Sequence, residues 1–166
     1  NHAILAKHSF EHEIAYALAN DIFGSIDINR GDYLVGWDTD QFPNNTEELL
    51  LPFYYLFKNQ GLGSGGLNMD AKIRRQSIDP EDLFYAHIGA MDTCARTLLA
   101  VEKMINDGSY EDFLQKRYEN WTHNKELMSS ASLEGIYEKV KSQNINPQPQ
   151  SGRQEYLENL LNTFIE

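Results

Sequence analysis

Residues 22–28 read Ile-Phe-Gly-Ser-Ile-Asp-Ile, a short run of apolar and β-branched side chains that predicts a β-strand. A second strand is predicted at residues 67–73, after a glycine-rich turn at 61–66. Between the two strands, helical signals extend from Asn45 to about Asn59. Strands that alternate with helices usually pair in parallel through right-handed crossovers. These two strands therefore decide the fold class, which we predict to be α/β.

Three helices are predicted around these strands. Residues 9–20 carry apolar side chains at every fourth position, which is typical of an amphipathic helix. The second helix covers residues 45–59, where Pro52 predicts a kink or a later start, because proline removes a hydrogen bond and clashes one turn back. The third begins at Asp79-Pro80, a cap residue followed by proline, and ends at Gly108.

The sequence changes character after Gly108. Three short amphipathic helices are predicted, at 110–120, 132–143 and 153–165. Residues 144–152 carry two prolines and predict an irregular connector. No strand signal occurs in this region, so we divide the chain into an α/β segment, 1–108, and an appended helical arm, 109–166.

Two parallel strands are too few for a stable sheet of their own. Parallel strands are normally buried on both faces and supported at both edges. We therefore expect an upstream portion, or another chain, to complete the sheet. The start at Asn1 without a methionine also predicts processing, cleavage or truncation.

Composition excludes several classes of function. The net charge is −11, from 25 acidic and 14 basic residues, which does not suit binding to a nucleic acid backbone. The longest apolar run, residues 49–57, is interrupted by Pro52 and is too short to cross a membrane. Cys94 is the single cysteine, so no disulfide can form within the chain. We expect a cytoplasmic protein with no membrane or nucleic acid partner.

Four aspartates follow the predicted strands. Asp27 lies at the end of the first strand, Asp38 and Asp40 form an Asp-x-Asp pair in the next loop, and Asp70 lies toward the end of the second strand. In α/β barrels the carboxyl ends of the strands form the active site. Clustered carboxylates repel one another unless a cation lies between them. Oxygen ligands favour Mg²⁺ or Mn²⁺, and the sequence therefore suggests a metal site.

Each of these residues also has a simpler interpretation. An Asp-x-Asp pair in a loop is more often turn chemistry. Asp27 could cap a helix, and Asp70 could pair with Lys72. His8 and His12 flank a helix start and could be surface or capping groups, and His87 is expected to be a core histidine with a satisfied hydrogen bond.

Longer motifs carry more information than these single residues. The most distinctive is GWDTDQFP at residues 36–43. Others are NH at 1–2, HSF at 8–10, FGSIDINRGD at 23–32, GGLNMDAK at 65–72, DLFYAHIGAMD at 82–92 and SGRQE at 151–155. Together these motifs resemble the xylose isomerase family, and the resemblance extends over essentially the whole chain.

The resemblance implies a fold and an activity. It implies the last two strands and helices of a (β/α)8 TIM barrel, with the segment after Ser109 as an arm that contacts a neighbouring subunit in a homotetramer. The implied reaction is the isomerisation of D-xylose to D-xylulose by a metal-assisted hydride shift. The implied cofactors are two divalent cations, Mg²⁺ or else Mn²⁺ or Co²⁺. Asp27 and Asp70 would bind the first cation, and His2, Asp38 and Asp40 would bind the second.

The family's remaining catalytic groups precede this segment. They are two metal-binding glutamates, a histidine–aspartate pair that opens the sugar ring and a lysine that contacts the substrate. We therefore assign no catalytic residue within the chain and expect it to be inactive alone. Two alternatives remain: a non-catalytic assembly or complementation fragment, and a related metal-dependent sugar epimerase, against which the motif at residues 36–40 argues.

Overall fold

The computed structural model describes Ala3 and residues 6–32, 34–35, 39–123 and 132–166, with backbone only at 121–123. Two compact units are present. Asn1–Asn106 with Phe164–Glu166 form the first, and Asp107–Thr163 form the second. The roles predicted for segments 1–108 and 109–166 stay predictions.

The described residues of the first unit include three longer helices and a two-stranded sheet. These elements are α1 (Phe10–Ala19), β1 (Ile26–Asp27), α2 (Thr46–Lys58), β2 (Leu67–Asn68) and α3 (Pro80–Asp107). The predicted helices are confirmed to within a residue or two at each end. The predicted strand lengths are wrong, since each strand has two residues. A strand extends only as far as a partner supplies hydrogen bonds, and each strand has a single partner in the described part of the chain.

The two strands pair in parallel, as predicted. Ile26 lies opposite Leu67, and Asp27 lies opposite Asn68. The amide of Ile26 donates to Gly66 O at 3.0 Å, and that of Ile28 donates to Asn68 O at 2.6 Å. The helix α2 forms the crossover between them, so both strands present their carboxyl ends at the same edge.

The core of this unit lies along α2. Its buried side chains include Leu49, Leu50, Phe53 and Leu56, and Ile26 and Ile28 at β1 are also buried. Helix α2 begins at Thr46, where the Asn45 side chain accepts a hydrogen bond from Glu47 N at 2.9 Å. The helix thus starts just after Asn45, and Pro52 lies inside it. Pro52 is fully buried, and the apolar contacts of its ring offset the lost hydrogen bond.

Much of the apolar surface of α3 is exposed. Its buried residues are Ala90, Thr97, Ala100, Val101 and Met104. The larger side chains that recur at helical spacing include several that face outward, namely Phe84, Ile88 and Met91, which are 67%, 53% and 54% exposed. His87 is exposed too, so its predicted core position is wrong, although its ring bonds Leu83 O at 2.8 Å.

The second unit is helical, as predicted. Its described residues include α4 (Ser109–His123), α5 (Leu133–Ser142) and α6 (Gln154–Ile165). The Ser132 hydroxyl caps α5 by accepting from Gly135 N at 3.0 Å. The irregular connector is confirmed, and Arg117 Nη1 holds it by donating to Ser151 O at 3.0 Å. Among the described residues, no helix is both long and apolar enough to cross a bilayer.

Candidate metal centre

The close approach of two glycines sets the spacing of the strands that carry the aspartates. A Cβ atom added to Gly65 would lie 2.0 Å from the carbonyl oxygen of Gly24, so only glycine fits there. The next amide, Gly66 N, donates to the Ser25 hydroxyl at 3.1 Å. These contacts join the start of β1 to the start of β2 and align their opposite, carboxyl ends.

Asp27 and Asp70 lie at those carboxyl ends. Asp27 is the last residue of β1, and Asp70 follows the end of β2 by two residues. The Asn68 amide donates to Asp27 Oδ1 at 3.2 Å. The contact seen for the Asp27 carboxylate is therefore with the neighbouring strand, and this orients the carboxylate at the edge where the strands end.

Asp40 is held near Asp70 by Asn29. The Asn29 side-chain amide lies 2.8 Å from Asp70 O and 3.5 Å from Asp40 Oδ1. Asp40 itself has a φ of 42°, in the left-handed region that non-glycine residues seldom adopt. Such backbone strain persists only where surrounding contacts impose it, and it is concentrated at functional sites.

Lys72 binds Asp40 through both backbone and side chain. Its amide donates to Asp40 O at 2.7 Å, and its ammonium group lies 2.7 Å from Asp40 Oδ2. The sequence suggested an ion pair of Lys72 with Asp70, whereas the pair observed is with Asp40. The Lys72 ammonium group therefore already balances the charge of the Asp40 carboxylate.

The loop around Asp40 is fastened to the strand end by a short antiparallel bridge. Arg30 and Gln41 exchange backbone hydrogen bonds of 2.8 and 3.0 Å, and Arg30 Nε donates to Phe42 O at 3.0 Å. The buried Gln41 side chain accepts a further hydrogen bond from Arg74. These contacts hold the end of the loop rigidly beside β1.

The structure thus brings three of the five predicted ligands to one edge. Asp27, Asp40 and Asp70 lie on adjoining segments, whereas His2 and Asp38 lie outside the described residues. Within the described residues, the three carboxylates do not form a group whose oxygens all lie within 4.8 Å of one another. Carboxylate oxygens fit the preference of Mg²⁺ and Mn²⁺, so this donor set suits such an ion.

Sequence reasoning missed Asn29, whose contacts join residues far apart in the chain.

Fold and site define an α/β protein that presents carboxylates at the ends of two parallel strands. The chain is 57% identical to a xylose isomerase of Ruegeria sp. (strain TM1040) over 167 residues, 99% of this chain and 38% of that protein. It is 57% identical to a xylose isomerase of Cereibacter sphaeroides and 54% identical to one of Brucella canis, again over 99% of its length and 38% of theirs. A family model, the XylA2 C-terminal domain, matches residues 114–165.

By this similarity the chain is related to xylose isomerases and resembles the C-terminal part of these proteins. It spans 38% of the length of the curated relatives it matches.

Proposed function

We propose that this chain is the C-terminal part of a xylose isomerase that converts D-xylose to D-xylulose. One observation supports this most directly. The chain is 57% identical to a xylose isomerase, and Asp27 and Asp70 lie at or just after the carboxyl ends of paired parallel strands, with Asp40 joined to Asp70 through Asn29. In (β/α)8 barrels that edge is where substrate and metal bind.

The aspartates would hold the divalent cations. Asp27 and Asp70 would bind one cation, and Asp40, with His2 and Asp38, would bind the other. When bound, such cations supply Lewis acidity that polarises the sugar's carbonyl and hydroxyl oxygens for the hydride shift. Mg²⁺, Mn²⁺ and Co²⁺ are the ions we expect.

The chain's other polar residues would position these ligands. The Asn68 amide orients Asp27, and Asn29 links Asp40 to the backbone at Asp70. Such partners restrict the rotation of a ligand and raise metal affinity. Lys72 would balance the charge of Asp40 and limit how strongly that carboxylate binds a second cation.

The rest of the enzyme would complete the barrel. The two short strands would be the last two of a TIM barrel, and the apolar side chains exposed on α3 fit a helix that packs against further structure. The helical segment 109–166 would associate with other subunits in a cytoplasmic homotetramer. Such an assembly would supply the acid, base and glutamate groups that we do not assign to this chain.

The test is a chimera. The corresponding 38% of the Ruegeria xylose isomerase is replaced by this chain, and ketose formation from D-xylose is measured with Mg²⁺. We expect turnover that is abolished by Asp70→Asn. The matched control is Asp21→Asn on an exposed residue of the same unit, where asparagine also accepts the positive φ of 54°. Lack of turnover by a folded chimera, or full activity of the Asp70 variant, would refute the proposal.

The alternative is an assembly or complementation fragment without catalytic function. The exposed apolar side chains of α3 favour association of some kind. The chain alone is expected to give no D-xylulose, and turnover by it would contradict our assignment of the catalytic groups. If the alternative holds, the chimera assembles into oligomers but the sugar remains unchanged.

A further inference from the structure

Three side chains that the proposed sugar site does not use converge at the start of α1. His8 Nδ1 contacts Glu13 Oε1, and His12 Nδ1 lies 3.9 Å from the same oxygen. The two imidazole rings have centroids 5.8 Å apart. One ligand atom from each of the three residues lies within 4.8 Å of the other two. In the described part of the chain, no other three histidine, cysteine or acidic residues lie this close together.

Backbone geometry produces this convergence. Lys7 adopts a φ of 63°, and the His8 amide donates to Ala3 O at 2.8 Å, so the chain turns sharply before the helix. Ser9 is the extended N-cap, and this places His8 immediately before the cap and Glu13 at the fourth helical position. Apolar side chains at these two positions commonly pack together and fix the direction in which the chain enters a helix, and here a polar pair occupies them.

The donors suit a transition metal rather than magnesium. Two imidazole nitrogens and a carboxylate oxygen are the ligands found in many zinc sites that keep a fourth position open. Zn²⁺, Ni²⁺ and Cu²⁺ bind imidazole strongly, whereas Mg²⁺ prefers oxygen. The side chains of His8 and His12 are 53% and 65% exposed, so an ion can reach them from solvent.

The spacing requires only small side-chain movements. In a tetrahedral site with metal–ligand distances near 2.1 Å, neighbouring ligand atoms lie about 3.4 Å apart. His12 Nδ1, at 3.9 Å from Glu13 Oε1, would approach by about half an ångström. The contact between His8 and Glu13 would open by rotation of two partly exposed side chains. We propose that His8, His12 and Glu13 form a surface site for a divalent late transition metal, with Zn²⁺ as the probe.

The test is Zn²⁺ titration of the 166-residue chain by calorimetry and by NMR of assigned histidine side chains. We expect one Zn²⁺ to shift the ring signals of His8 and His12 while those of His87 stay in place. His12→Gln should weaken binding by at least about tenfold, since the loss of an outer-shell partner alone commonly costs that much. Glu13→Gln should weaken it in the same direction.

Two controls separate this site from others. His87→Gln alters an exposed histidine of α3 and should leave the Zn²⁺ affinity unchanged. Asp70→Asn should also leave it unchanged, so failure of this site and failure of the proposed sugar site are distinguishable. If Zn²⁺ leaves the rings of His8 and His12 unshifted, or if His12→Gln binds as tightly as His87→Gln, the three residues form only a hydrogen-bonded helix end. The ring signals of the unmodified chain decide the matter even if a variant does not fold.

Discussion

Replacing Gly65 by alanine should separate the two strands that position the aspartates. The added Cβ would lie 2.0 Å from Gly24 O, a backbone atom, and the backbone of residue 65 fixes the position of the Cβ, so a side-chain rotation cannot relieve the clash. A contact of ordinary length requires the two segments to move apart by more than an ångström. That movement would break the hydrogen bond from Gly66 N to the Ser25 hydroxyl and the adjacent one from Ile26 N to Gly66 O.

The expected magnitude follows from these contacts. Loss of two hydrogen bonds costs about 0.5 to 1.5 kcal/mol each. Overpacking against rigid neighbours adds about 1 to 3 kcal/mol. We therefore expect Gly65→Ala to lower the free energy of unfolding by about 2 to 6 kcal/mol. In the chimera the same change should reduce affinity for Mn²⁺, because Asp27 and Asp70 would no longer be aligned.

Urea unfolding followed by circular dichroism measures the loss of stability. Gly66→Ala is the matched control, because its added Cβ would meet nothing closer than Asn68 Oδ1 at 4.0 Å. The control should raise stability by less than about 1 kcal/mol, because alanine at a compatible glycine position lowers the conformational entropy of the unfolded chain. If both variants unfold at the same urea concentration, the close approach of Gly65 and Gly24 does not hold the strands together.

Two further predictions concern α2 and the single cysteine. Asn45→Ala should lower the free energy of unfolding by about 1 kcal/mol, since it removes the cap on Glu47 N. Asn44→Ala, at an exposed residue, is the control in the same urea experiment. An equal loss of stability in the two variants would contradict the capping role of Asn45. Burial raises the pKa of the Cys94 thiol, so less thiolate is present near neutral pH, and iodoacetamide should react more slowly with the native chain than with the urea-unfolded chain. The native rate should rise with pH until the pH passes that raised pKa; equal rates for native and unfolded protein would contradict this.

Local signals predicted the helices well because their causes are local. Asp79-Pro80 marks the start of α3, and spacing every fourth residue marks α1, whatever surrounds them. Burial was predicted less well. The same spacing shows that Phe84, His87 and Ile88 share one side of α3, but it does not reveal what covers that side, and all three are exposed in this chain.

The sequence alone determined the α/β class, the parallel order of the strands and the presence of Asp27 and Asp70 near their ends, because strand order and strand direction follow from the alternation of elements. The tertiary structure decided the lengths of the strands, because their hydrogen bonds come from a partner distant in sequence. It also determined which residues contact the Asp40 side chain. Asn29 and Lys72 lie 11 and 32 positions away from it, and only the folded backbone brings such groups within hydrogen-bonding distance.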